Sequence, residues 1–321
     1  MTRKKVIVFV LLLIMLTSSF LILTYAMLKA ESPSELKNIS VIVQGKTGDD
    51  WESIKQGMEQ ASDEMHVELT FISVSAEDSL AEQISLLERE KGSGVDAIIL
   101  SVMESGKLAA AMNNIAAKFP IVCLEYGMDN SHVTSYVSTD NYAMGVEVGR
   151  KILLSDNPNQ NVLLVEGSKD CNNIKERRNG LLSVLDANGI HTIDWEDLNN
   201  SESSTYRFLN LCKEKKLGTV VAFSSLDLED MAQMLSDEKI KNINLFGIGA
   251  SSKIAHYIEQ DVVNATVVQN DFGIGYLSIQ AAVDALERRT VSKQITVEYR
   301  VIDQRNMYDM DNQRLLFPFV R

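Results

Sequence analysis

Apolar positions along this chain follow two alternating patterns. Short, nearly continuous runs stand at 39–44, 67–74, 97–101, 121–124, 162–166, 191–195, 219–223, 244–248 and 263–269. They read as strands, and the first, with Ile39, Val41, Ile42 and Val43, is too apolar for a strand with one wet face, so it predicts burial on both sides. Between them, apolar residues recur at helical spacing, as in Ile54, Met58 and Ala61, Leu80, Ile84 and Leu87, or Leu181, Leu182 and Leu185. Strands alternating with helices of this length predict right-handed βαβ units and parallel sheets. The ladder divides into four units from Ile39 to about Asp140 and a second set from Val162 to Gln269. Two doubly wound α/β lobes facing across a cleft are the expected architecture. No Pro-rich or low-complexity linker separates the sets, so the connections between them are expected to be short.

The first unit, 38–58 (NISVIVQGKTGDDWESIKQGM), reads as strand, polar loop and amphipathic helix. In open α/β sheets such a junction binds small ligands, so the loop carries the chemistry. Gly45-Lys46-Thr47 resembles part of a phosphate-binding loop, but the spacing excludes it. The glycine needed five positions earlier is Ser40, inside the strand. Asp49 and Asp50 at the helix start would also repel a phosphate. They are better read as helix-capping residues, with Gly48 allowing the turn and Lys46 solvated. Trp51 puts a large flat ring at the mouth of the predicted cleft, which suits the apolar face of a sugar ring.

The N-terminus is a separate matter. Arg3, Lys4 and Lys5 precede an uncharged run, residues 6–28. Its 23 residues would span roughly 34 Å as a helix, enough to cross a bilayer. The positive flank is expected on the cytoplasmic side, with everything after Leu28 outside. A cleavable signal has a shorter apolar core and a small-x-small site, and Leu28-Lys29-Ala30 is a poor one. An uncleaved signal anchor is therefore expected over a cleaved signal peptide. Residues 1–30 form the flank and anchor, and residues 31–37, with Pro33, the linker.

Charge narrows the partners. Four of the 31 Lys and Arg residues lie before Glu31 and none of the 44 acids does, so the remainder carries 27 bases against 44 acids, a net −17. Nucleic-acid binding needs a basic face, so no nucleic-acid partner is expected. Cys123, Cys171 and Cys212 are too few and too far apart for a disulfide framework. Cys123 sits in an apolar run and reads as a buried small hydrophobe, while a Cys171–Cys212 pair stays open. His66, His132, His191 and His256 lack metal-ligand spacing, so no metal or other cofactor is expected. Gly247-Ile248-Gly249 and Gly273-Ile274-Gly275 lack the rest of a dinucleotide fingerprint and read as turns. Trp195 and Phe223 read as core. No nucleophile–base pair is visible, so no catalytic residue is assigned and an enzyme is not expected.

Six segments in order, VIVQGKTGDDWESIKQGM, GVDAIILS (94–101), FPIVCLEY (119–126), STDNYAMGVEVG (138–149), KERRNGL (175–181) and NATVVQNDFGIG (264–275), resemble the type 1 periplasmic sugar-binding proteins. The resemblance is to the ribose-binding group, related to the ligand domains of the lactose-repressor family, and covers nearly all of 38–300. It implies a two-lobed ligand trap with crossovers near Asn141, Gln269 and Tyr299. One lobe would hold 38–141 and 270–299, the other 142–269 and 300–321. It also implies a ligand-binding set of Asp50, Trp51, Ser101, Glu125, Tyr126, Arg177, Ser224 and Gln269. Trp51 keeps one of the family's sandwiching aromatics, and Asp50 replaces the other. Ser101 stands for an amide, Glu125-Tyr126 for an acid followed by a base, and Ser224-Ser225 for Asn-Asp. Arg177, read alone between Glu176 and Arg178, is a surface helix residue; the resemblance makes it the ligand-clamping arginine. Gln269 matches the family's glutamine, and Gly249 stands where an aspartate is expected. These departures argue against plain ribose, and Asp50 facing inward would favour a cationic substituent. The expected role is anchored capture of a small sugar for an ABC permease. The alternative is a sensor reporting occupancy to a membrane histidine kinase, which the uncleaved anchor favours.

Overall fold

The computed structural model describes residues 3–30, 36–44, 49–74, 79–101, 105–116, 119–125, 132–155, 161–167, 171–195, 201–214 and 217–317. The chain forms two compact units, 1–36 and 37–321. The first is one helix, α1 (Arg3–Ala30), of 28 residues. Among the described residues no helix is long and apolar enough to cross a membrane. The described side chains of α1 are mostly apolar, with Leu12, Leu13, Ile14, Met15, Leu16, Phe20, Leu21, Ile22 and Leu23 all exposed, and the hydroxyls of Thr17, Ser18 and Thr24 bond backbone carbonyls of the helix itself.

The second unit contains two six-stranded sheets. The first takes β1 (Lys37–Gln44), β2 (Val67–Val74), β3 (Ala97–Ser101), β4 (Ile121–Leu124), β5 (Ser135–Thr139) and β11 (Gln294–Val297), in the order β11-β5-β4-β3-β1-β2. The second takes β6 (Asn161–Val165), β7 (Thr192–Asp194), β8 (Leu217–Ala222), β9 (Asn244–Ile248), β10 (Ala265–Gln269) and β12 (Tyr299–Ile302), in the order β12-β10-β9-β8-β6-β7. The helices between them are α2 (Asp49–Met65), α3 (Ser79–Ser93), α4 (Ser105–Ala116), α5 (Asn141–Leu153), α6 (Asn172–Ala187), α7 (Ser201–Glu214), α8 (Ser225–Asp237), α9 (Ser252–Glu259), α10 (Asp271–Leu286) and α11 (Met310–Leu316). This is the two-lobed α/β architecture that the hydrophobic pattern predicts.

Strand alternation sets the layers. In β1, Ile39, Val41 and Val43 pack with Ile54, Met58 and Ala61 of α2 and Ile274 of α10. Ile42 turns to the other face, against Leu86 and Leu87 of α3 and Met112 of α4. Ser40 shares that second face, and its hydroxyl donates to Glu90 Oε2 at 2.7 Å. Burial works to raise the Glu90 pKa, but the bonds from Ser40 and Arg89 outweigh it and hold the carboxyl below its ordinary range. The second sheet is layered alike, with Leu164, Val221 and Phe223 toward α5 and α6, and Leu163, Val220 and Ala222 toward α7, α8 and α9.

Several expectations change. The second sheet is not all parallel, because β12 runs antiparallel to β10. Gly247 lies within β9, and Gly273 and Gly275 lie within α10, so neither glycine pair marks a simple turn. Cys171 and Cys212 are not joined by a disulfide and pack on opposite faces of the second sheet. Burial pushes the Cys212 thiol up to about 11 and raises Cys123 further. Trp195 and Phe223 are core, as expected.

Glycines set the closest helix contacts. A Cβ on Gly57 of α2 would meet the Phe272 carbonyl oxygen at 2.0 Å, and one on Gly275 of α10 would meet that of Ile54 at 1.8 Å. The pattern recurs in the other lobe. Gly145 of α5 would meet the Arg177 carbonyl at 1.9 Å, and Gly180 of α6 that of Tyr142 at 2.0 Å. Each lobe therefore docks the helix that follows a crossover, α5 or α10, onto the helix that follows its first strand.

Candidate ligand cleft at the sheet ends

In each sheet the winding reverses beside the first strand, between β1 and β3 and between β6 and β8. Ligands of doubly wound sheets lie outside the carboxyl ends of the strands at such points. The candidate residues fall at those ends. Asp50 and Trp51 begin α2, Ser101 ends β3, Glu125 follows β4, Ser224 precedes α8 and Gln269 ends β10. Arg177 lies on α6, two turns into the helix that follows β6. The loop 45–48, the Asp50 side chain and Tyr126 lie outside the described residues.

Arg177 is the centre of the arrangement and is buried. Its Nε donates to Asn141 Oδ1 at 2.8 Å, Nη1 to the Phe223 carbonyl at 2.9 Å and Nη2 to Gln269 Oε1 at 3.2 Å. A charge so deeply placed is tolerable only because these acceptors replace water. Gln269 Nε2 then donates to Asp271 Oδ1 at 2.7 Å. Asn141 opens α5 directly after the first crossover, and Asp271 opens α10 directly after the second. One guanidinium thus ties α6, the end of β8 and both crossovers together.

Glu125 joins this network through the backbone. Its carbonyl accepts from Ser138 Oγ at 3.1 Å, and Ser138 Oγ lies 3.4 Å from Asn141 Nδ2. Glu125 has φ of +61°, a conformation costly for a non-glycine residue and concentrated at functional turns. Ser101 is buried, and its carbonyl accepts from Gln83 Nε2 at 3.0 Å. Trp51 is half-buried and meets Phe71 edge-on, with ring centroids 6.2 Å apart. Its ring is therefore partly committed to the core of its own lobe. Among the described interactions, neither Trp51 nor Ser101 contacts the Arg177 network.

Ser224 does a different job from a free ligand donor. It caps α8 by accepting from the Asp227 N–H at 3.2 Å, and its hydroxyl donates to Asp227 Oδ2 at 2.6 Å. The same Oδ2 accepts from the Gly167 N–H at 3.1 Å, pinning the end of β6 to the start of α8. Asp227 was not legible as a site residue; its signal is the spacing Ser224-x-x-Asp227, a capping pattern. Burial pushes its carboxyl above the ordinary range, with Asp230 and Glu166 adding repulsion and the Ser224 and Gly167 bonds opposing. A raised carboxyl makes the ionised folded state less stable above its pKa, a cost relieved as pH falls through that value. Asp227→Asn keeps an acceptor for Gly167. It should therefore match or exceed the parent stability at pH 7, by up to about 1 kcal/mol, and lose that advantage on acidification. Denaturant unfolding at pH 7 and pH 4.5 checks this, and a loss of more than about 1 kcal/mol at pH 7 would contradict it.

Gly249, where the resemblance expects an aspartate, has φ of +136°. A Cβ there would stand 2.1 Å from Ser225 Oγ. A side chain at this position would therefore run into the start of α8. Among the described residues, no group of three or more His, Cys, Asp or Glu side chains could hold a metal ion.

Two α/β lobes are joined by three chain crossings, with polar groups gathered at the sheet ends. The periplasmic binding protein domain family matches residues 39–290, and the chain belongs to it, as a type 1 periplasmic sugar-binding protein. The ribose import binding protein of Bacillus subtilis (strain 168) is 23% identical over 255 residues, 79% of this chain and 83% of that protein. A carbohydrate transporter solute binding protein from Agrobacterium radiobacter, in complex with D-arabinose, matches with a TM-score of 0.80 at 19% identity, covering 88% of this chain and 99% of that one. The XylFII–LytSN complex matches with a TM-score of 0.75 at 24% identity, covering 84% and 98%.

Proposed function

We propose that the protein is a membrane-anchored extracytoplasmic receptor that closes around a small sugar or sugar derivative and delivers it to an ABC importer. The observation that carries this reading is the Arg177 network. A buried guanidinium joins both crossovers at the sheet ends, where a ligand hydroxyl would engage it and lobe closure would be felt. Asp50, Trp51, Ser101, Glu125, Tyr126, Ser224 and Gln269 complete the proposed lining, with Ser224 acting through the α8 cap. The lobes are taken as 38–141 with 270–299 and 142–269 with 300–321. The ribose import protein and the arabinose-bound neighbour support sugar as the ligand class. The anchor rests on α1, whose described side chains carry no charge and are mostly apolar and exposed, a pattern that suits a helix in lipid.

A second reading is favoured by one observation: XylFII, of the same fold, is found with LytSN. On that reading closure is reported to a protein partner, a membrane histidine kinase, and no sugar is handed on. Thermal shift against D-ribose, D-xylose, D-galactose and D-glucosamine tests the ligand class, and at least one should raise the melting temperature. No shift with any of them would count against a sugar trap. Deleting the chain should abolish uptake of the stabilising sugar on the first reading. On the second it leaves uptake intact and removes the sugar-dependent transcriptional response.

A further inference from the structure

Beside the second and third crossovers lies another concavity, of about 410 Å³. None of the proposed sugar residues lines it. One wall comes from the first lobe, with Gln56 of α2 and Phe272 of α10. The other comes from Glu298 and Arg300 at the third crossover and from Asp311, Arg314 and Leu315 of α11. Its size is in the range of small-molecule pockets.

The charges in this notch are balanced and loosely spent. Arg300 stands 3.6 Å from Glu298 and 3.5 Å from Asp311. A well-made charge-assisted bond is about 2.7–2.9 Å, so both pairs are long. Arg314 makes no ion pair among the described residues. A pure anion entering here meets Glu298 and Asp311, and a pure cation meets Arg300 and Arg314. A molecule carrying both charges satisfies each wall and adds no net charge. Phe272, exposed for an aromatic, and Leu315 offer an apolar shelf beside the charges.

We infer that this notch binds a small zwitterion with an apolar tail, of the α-amino acid class. Its carboxylate meets Arg314 and Arg300, its ammonium meets Glu298 and Asp311, and its tail lies on Phe272 and Leu315. Gln56, Phe272 and Glu298 fall in the first lobe as taken above and Arg300, Asp311, Arg314 and Leu315 in the second, so occupancy depends on the angle between the lobes. Coupling to the sugar cleft rests on the receptor reading above; the binding itself does not.

Calorimetry on the full chain in detergent micelles, using L-norleucine, hexanoate and pentylamine, tests the inference. Norleucine should bind saturably, at least about tenfold tighter than the two single-charge analogues. R314Q and E298Q, both at the surface, should each weaken norleucine by about tenfold or more while leaving the sugar response in place. Arg177→Ala should do the reverse, removing the sugar response and sparing norleucine. The inference is overturned if norleucine fails to bind folded protein, if hexanoate binds equally well, or if R314Q leaves norleucine affinity unchanged. Loss of norleucine binding in Arg177→Ala that is still folded at the titration temperature, together with displacement of norleucine by the sugar in the parent chain, also overturns it, because the molecule would then occupy the main cleft.

Discussion

Gly145→Ala should cost about 3 kcal/mol and lower the melting temperature by roughly 6–12 °C. The added methyl would stand 1.9 Å from the Arg177 carbonyl oxygen, which is backbone and cannot swing away. Relief requires α5 and α6 to separate by more than an ångström, and α6 carries the Arg177 side chain. The hydrogen bond from Arg177 to Asn141 of α5, at 2.8 Å, spans the contact that must open, and the bond to Gln269 moves with Arg177, so the sugar response should fall together with stability. Phe208→Ala supplies the comparison, since it truncates a buried ring beside Trp195, away from the crossovers. That variant should lose comparable stability, about 3–5 kcal/mol, and keep its sugar affinity below its own melting temperature. Alanine outranks glycine as a helix former by about 1 kcal/mol. A gain of stability in Gly145→Ala would therefore show that the close helix contact does not constrain the fold.

Arg177→Ala should weaken sugar binding at least about a hundredfold and destabilise the protein by roughly 2–4 kcal/mol. The stability loss follows from acceptors, because Asn141 Oδ1, the Phe223 carbonyl and Gln269 Oε1 all lose their donor in a buried setting. Arg177→Lys separates charge from geometry. An ammonium keeps the charge but cannot direct planar donors to three separated acceptors. Its affinity should drop by about tenfold or more with a smaller stability loss. Calorimetric titration with the stabilising sugar, alongside denaturant unfolding, checks both variants. Unchanged affinity in Arg177→Ala would remove Arg177 from the ligand site.

The layered core was legible because its inner strands, such as β3, β4 and β8, are buried on both faces. Residues 39–43 and 220–223 are almost wholly apolar, and their shortness and β-branched content favour a buried strand over a helix. The strand β5 was not, since SYVST places Ser and Thr in a buried strand where hydroxyls find local partners, such as Ser135 Oγ on the Ser292 carbonyl at 2.7 Å. The strands β11 and β12 are short edge strands with exposed or half-exposed positions, and nothing local marks the antiparallel turn of β12. At the site, the resemblance singled out Arg177 and Gln269 as separate ligand contacts, and the structure joins them to each other. Asn141 and Asp227 were missed because an amide after a strand and an acid in a first helical turn are ordinary capping residues. Only the fold shows what each reaches: the arginine of α6 for one and the end of β6 for the other.

On the proposed sugar-receptor reading, the crowding at Gly249 makes ligand specificity a two-residue problem. Returning an aspartate to that position places its side chain into Ser225 and forces a backbone angle that only glycine adopts easily. A single reversion should therefore misfold the start of α8 before it restores any sugar contact. Changing the preferred sugar along this route would require residues 225 and 249 to change together, with the loop between β9 and α9 rebuilt to a negative φ.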